Sequence, residues 1–179
     1  MRSKTKITLA LLILSFALLL PSCVDKMPAA TGETDENGVP TDFEFSITWG
    51  CYGDSTYNSK TGELVKQKAA TKVGDYTTTY FLTDGQRAKI YDLVKEMNPS
   101  SYPDEYNPIK GMSTPSRDIV FTVTYGGKTK TITCKDVALS NNPKGSKGKK
   151  FMAVHDAIVN ALTTSDEWLA LPDYEFYYD

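Results

Sequence analysis

The stretch RDIVFTVTYGGKTKTITC, Arg117 to Cys134, decides the fold. Ile119, Phe121, Val123 and Tyr125 alternate with Val120, Thr122 and Thr124, the period-2 pattern of a strand with one buried face. A second run, Lys128 to Cys134, follows Gly126-Gly127. Two consecutive glycines accept the positive φ angles that a tight two-residue hairpin demands. With Tyr125 opposite Lys128, Phe121 faces Ile132 and Ile119 faces Cys134, so the apolar faces of the two strands coincide. The pairing is antiparallel, and Cys134 points to the core side.

Further strands are readable outward from this hairpin. Phe43, Phe45, Ile47 and Trp49 alternate with Glu44, Ser46 and Thr48, which predicts a half-buried strand. Asn58 to Gly62 reads as a turn joining short strands at Ser55 to Tyr57 and Glu63 to Lys68. Asp75 to Thr83, rich in Thr and aromatics, predicts another strand. Tyr174, Phe176 and Tyr178 alternate as a last one.

Two helices complete the pattern. Thr83 with Gln86 three residues later fits a capping box. Ile90, Leu93, Val94 and Met97 then fall at helical spacing, and Asn98-Pro99 closes the segment. The second helix carries Phe151, Val154, Ile158 and Leu162 on one stripe. The expected fold class is therefore α+β: an antiparallel sheet of five to six strands with two helices packed on one face.

The N-terminus addresses the chain. Arg2, Lys4 and Lys6 precede an apolar run of 14 residues, Ile7 to Leu20. That run is shorter than the ~20 residues of a membrane span and suits a signal peptide. Leu20-Pro21-Ser22-Cys23 follows at once and resembles the lipobox of bacterial lipoprotein precursors, with Pro21 in place of the commoner small or β-branched residue. The resemblance implies cleavage after residue 22 and lipid on Cys23, placing the protein at the bacterial cell envelope with a membrane as partner. Residues 23 to 42, with two prolines, two glycines and few large apolar side chains, are expected to form a flexible tether. Residues 43 to 179 are expected to form a single globular domain. Without Arg2, Lys4 and Lys6, the 20 basic side chains fall to 17 against 22 acidic ones, a net charge of −5. That balance argues against nucleic acid as a partner.

Chemistry-bearing residues are few. The only histidine, His155, lies beside the second helix's apolar stripe and reads as a partly buried side chain with one hydrogen bond. No metal spacing, nucleophile elbow or phosphate loop is present in the sequence, so no catalytic residue, metal ligand or cofactor is assigned. Cys51 and Cys134 both take core-facing parity. They form a candidate disulfide only if the first strand lies beside the last hairpin strand, since bridged Cα atoms come within about 7 Å. Residues 144 to 150 read as a basic loop before the second helix, with Lys144, Lys147, Lys149 and Lys150 as a candidate anion-binding set. Residues 99 to 116 read as a long Pro-rich loop, with Tyr102 and Tyr106 either stacking on a ligand or capping the core.

Trp49-Gly50-Cys51-Tyr52-Gly53, Asp75-Tyr76-Thr77-Thr78-Thr79 and Leu171-Pro172-Asp173-Tyr174-Glu175-Phe176 resemble stretches of small envelope lipoprotein domains of unknown function. The resemblance covers most of residues 43 to 179 and implies no activity. The sequence thus points to a lipid-anchored, non-enzymatic binding module for an unknown protein or glycan. The alternatives are an envelope enzyme acting on glycan or peptide, and an inhibitor of a secreted enzyme presenting the 99 to 116 loop.

Overall fold

The computed structural model of the chain describes residues 32–66 and 76–173. Six strands form one antiparallel sheet: β1 (Glu44–Trp49), β2 (Ser55–Asn58), β3 (Glu63–Lys66), β4 (Tyr76–Thr79), β5 (Ile119–Tyr125) and β6 (Lys128–Cys134). Their order across the sheet is β4-β3-β2-β1-β5-β6, which puts β1 between β2 and β5. The β5–β6 register is the expected one: Tyr125 opposes Lys128, Phe121 opposes Ile132 and Ile119 opposes Cys134. Gly126 and Gly127 turn the hairpin at φ of 58° and 70°, which side chains with a Cβ rarely adopt.

Two long helices, α1 (Asp84–Met97) and α2 (Gly145–Thr163), and a single turn, α3 (Asp166–Leu169), complete the fold. Thr83 and Gln86 close the expected capping box, each side chain accepting from the other's backbone N–H. Asn98, left-handed at φ 55°, ends α1 before Pro99. Phe45, Ile47, Phe121 and Ile132 from the sheet share one core with Ile90 and Val94 of α1 and Ile158 and Leu162 of α2. The helices therefore lie on one face, and the α+β expectation holds. Burying a Phe or Ile fully stabilises by about 1.5–3 kcal/mol. The opposite face is hydroxylic, with Thr122 bonded to Thr131 at 2.9 Å and Thr124 to Thr129 at 2.8 Å.

Aromatic rings bind the layers together. Tyr91 of α1 meets Phe43 and Tyr125 edge-on at 5.1 and 5.8 Å, and Trp49 lies 5.9 Å from Trp168 of α3. Trp168 sits in a capped helical turn, with the Ser165 hydroxyl accepting from the Trp168 amide. The strand expected at Tyr174 to Tyr178 falls outside the described residues.

Two expectations meet a different structure, at residues 32–42 and 145–150. Residues 32–42 are not a flexible tether: Thr34 bridges Pro40, the Asp35 carboxylate accepts from the Asn37 and Val39 amides, and Val39 is 1% exposed. One buried valine and one side-chain-capped turn suffice to seat the segment.

Residues 99–116 form the expected loop, and it is packed against the domain. Glu105 forms a parallel bridge with Thr133, covering the outer edge of β6, and Ile109 bridges Pro143. Tyr102 is buried against Tyr106 and Phe151, and its hydroxyl donates to the Lys147 carbonyl at 2.7 Å.

Residues 145–150 are the first turns of α2 rather than a loop. Helix continues through Gly148 because that position is buried under the Pro108 carbonyl, where a Cβ would lie 2.6 Å from the oxygen. The close approach outweighs the roughly 1 kcal/mol that glycine costs a helix.

Cys51 and Cys134 are free thiols. The bond needed β1 beside β6, but β5 lies between them. Two strand spacings of about 4.8 Å already exceed the reach of a disulfide. Burial pushes the Cys134 thiol up to about 12, which keeps it protonated and inert.

Candidate ligand cleft

The cleft forms where the chain enters β1. Arg87, in the first turns of α1, reaches back to this point. Its guanidinium donates to the Asp35 carboxylate at 2.6 Å and to the Pro40 and Phe43 carbonyls at 2.8 and 3.1 Å. Its carbon lies 5.6 Å from the centre of the Phe43 ring, a cation–π contact. One planar side chain with several donors thereby fixes residues 35–43 against α1, a geometry that lysine lacks.

Asp42 is fixed from the other side. Its two carboxylate oxygens accept from the Gly126 and Gly127 amides at 3.1 and 2.8 Å, so it caps the β5–β6 turn. The β2–β3 turn supplies the third wall. There the Asn58 side chain accepts from the Lys60 and Thr61 amides, as asparagine commonly does in turns. The Ser59 hydroxyl accepts from the Phe45 amide at 2.7 Å, and Lys60 pairs with Glu44 at 3.0 Å.

Phe81 closes the fourth side. It lies between β4 and α1, is 61% exposed, and its ring rests on Gly62. A Cβ at Gly62 would sit 2.9 Å from two ring carbons, so glycine there makes the seat possible. An exposed aromatic held by the backbone beneath it is a pre-set contact surface.

These walls enclose an open cleft of about 540 Å³, within the range of small-molecule sites. A shallower depression of about 90 Å³ adjoins it over the outer face of β1, between Asn58 and Thr122. The two share Glu44, Phe45, Lys60 and Thr124 and so form one continuous hollow. Its charged lining comprises Asp42, Glu44, Lys60 and Arg87, two of each sign.

The residues singled out in the sequence lie elsewhere. Cys23 is outside the described residues. Tyr102 and Tyr106 belong to a core cluster under α2, and burial raises both phenols, Tyr102 to about 12. Packing rather than ligand stacking is their role. The four lysines do not form one free basic patch. Lys147 donates to the Ser101 carbonyl and stands 5.3 Å from the Tyr102 ring centre, while Lys150 pairs with Glu96 of α1 at 3.4 Å. His155 is 7% exposed and hydrogen-bonds Asp156 at 2.8 Å, as its place beside the apolar stripe implied. Among the described residues, no cluster of three or more His, Cys, Asp or Glu side chains has metal-binding geometry.

Sequence reading missed the cleft residues. One signal was available: in the run Tyr76 to Leu82, the apolar side chains of one parity turn inward, and Phe81 is a large aromatic on the other. No family model, curated protein or solved structure matches the chain.

Proposed function

We propose that the protein is an exported bacterial lipoprotein, cleaved before Cys23, whose folded domain is a non-enzymatic binding module displayed at the cell envelope. The anchor reading rests on the basic start, the 14-residue apolar run and Leu20-Pro21-Ser22-Cys23. The binding reading rests on one observation: the cleft is concave, yet its charged side chains are engaged in holding the fold. Asp42 caps a hairpin, Arg87 clamps the segment before β1, and Glu44 and Lys60 answer one another. Such groups keep a cleft's shape. A glycosidase would instead need two carboxyl groups facing one bond from opposite sides, and Asp42 and Glu44 sit two residues apart at one end of a strand.

Stable membrane attachment takes about two acyl chains or a second signal, as one chain binds only marginally. The test is metabolic labelling of the intact chain and of Cys23→Ala with a radioactive fatty acid, in a host that processes lipoproteins. Label is expected in the wild-type envelope fraction and absent from the mutant. Label retained by Cys23→Ala, or absent from both, refutes the anchor.

A further inference from the structure

We propose that the cleft binds a neutral oligosaccharide, with one sugar ring stacked on Phe81 and its neighbours lying along the outer face of β1. The inference rests on the binding-module reading and names the ligand class for that same cleft.

Shape comes first. A hollow of about 540 Å³ continues over the outer face of β1 into one of about 90 Å³, and both are open to solvent. It therefore suits a chain that can extend beyond it.

Charge comes second. Lys60 and Arg87 are balanced by Asp42 and Glu44, so a charged ligand would find no net complement. A ligand bearing many hydroxyls, each both donor and acceptor, is served by such a mixture. Asp42 uses one lone pair of each oxygen on Gly126 and Gly127, which leaves others for a ligand hydroxyl. The hydroxyls of Thr41, Ser59 and Thr124 add groups of the same kind.

The ring comes third. Phe81, 61% exposed and seated on Gly62, offers a flat apolar surface in this charge-lined cleft. The C–H face of a pyranose is the matching partner, apolar in its middle and polar at its edge.

Peptide is disfavoured by the same geometry. The hollow crosses β1, whose backbone is already paired with β2 and β5, so no free ladder groups await an added strand. An amphipathic helix would lay an apolar face into its groove, and four charged side chains, Asp42, Glu44, Lys60 and Arg87, line this one.

The test applies the intact chain, held in detergent, to an array of neutral glycans beside uronate- and sulfate-bearing ones. Hits are followed by calorimetric titration and by amide NMR of Gly62, Phe81 and Thr124. Binding to a neutral glycan is expected, with shifts at these amides. Phe81→Ala should weaken it at least about tenfold, the ratio given by 1.4 kcal/mol of lost contact. Phe81→Trp should retain it.

In parallel, a photo-reactive benzophenone amino acid replaces Thr41 and is irradiated in the protein's own envelope. Binding confined to acidic glycans, or unaffected by Phe81→Ala, overturns the proposal. No glycan binding, together with a protein cross-linked through position 41, overturns the sugar assignment and leaves the binding module standing. No glycan binding and no cross-link overturns both.

Discussion

Glycine in a helix interior is normally a weakness, so Gly148→Ala ought to stabilise the protein by about 1 kcal/mol on propensity alone. The structure opposes that gain. Gly148 lies in α2 beneath the Pro108 carbonyl, and a Cβ there would stand 2.6 Å from the oxygen and 3.3 Å from the Pro143 carbonyl carbon. The oxygen cannot easily retreat, because it accepts from the Lys144 amide at 2.7 Å and the next residue, Ile109, bridges Pro143. Forcing a methyl into a filled site costs about 1–3 kcal/mol. Set against the propensity gain of about 1 kcal/mol, this cost cancels the gain or turns it into a net loss of up to about 2 kcal/mol. Gly85→Ala is the internal control: that glycine is in α1, and nothing lies within 4 Å of the point its new methyl would occupy. It should gain about 0.4–1 kcal/mol. Urea melts of wild type and both variants, followed by tryptophan fluorescence, give the two differences directly. A Gly148→Ala protein as stable as Gly85→Ala would mean that residues 105–109 are not seated against α2.

Phe121→Ala should cost about 3–5 kcal/mol, the usual range for a buried aromatic; Thr122→Ala, on the hydroxylic face, should cost less than about 1 kcal/mol. Equal losses in urea melts would mean the two sheet faces are exchanged. Alkali should unfold the protein. Burial pushes Tyr57, Tyr102 and Tyr125 up from 10.0 to about 12, and Cys134 from 9.0 to about 12. Below about pH 9 both states hold these protons and the stability is intact. As pH rises from there through about 12, the unfolded chain releases protons that the folded chain keeps, and each group removes up to about 1.4 kcal/mol per pH unit. A urea midpoint that stays level across this window would contradict the burial of these groups.

Local patterns carried the sequence reading, and longer-range geometry limited it. The β5–β6 register was legible because alternation and Gly126-Gly127 fix it within 18 residues. Thr83, Gln86 and Asn98 likewise mark both ends of α1 from neighbouring residues alone. Strand order was not legible, since nothing in β1 names β5 as its neighbour, and the disulfide question depended on that order. The start of α2 was hidden because Gly145 and Gly148 read as loop, and only the approach of Pro108 explains glycine inside the helix. Composition likewise hid the 32–42 segment, whose seating rests on Val39 and on Arg87, contributed by a helix far along the chain. The cleft drew its walls from turns, a strand entry and a helix start, so no contiguous motif could announce it.

The central place of β1 also bears on how the molecule is made. Thr48 pairs with Val120 and Glu44 with Thr124, partners 72 and 80 residues apart in the chain. The hairpin with β2 and the β3 and β4 additions close over short distances, and α1 can coil on its own capping signals. None of these steps can finish the sheet's middle, because β5 is synthesised and delivered last among β1's neighbours. Closing a long loop carries its entropy cost before any pairing repays it, and topologies rich in such distant contacts fold slowly. During that interval the edge of β1 that β5 will pair stands open. Such an unpaired edge offers free backbone donors and acceptors to any other chain it meets until β5 arrives.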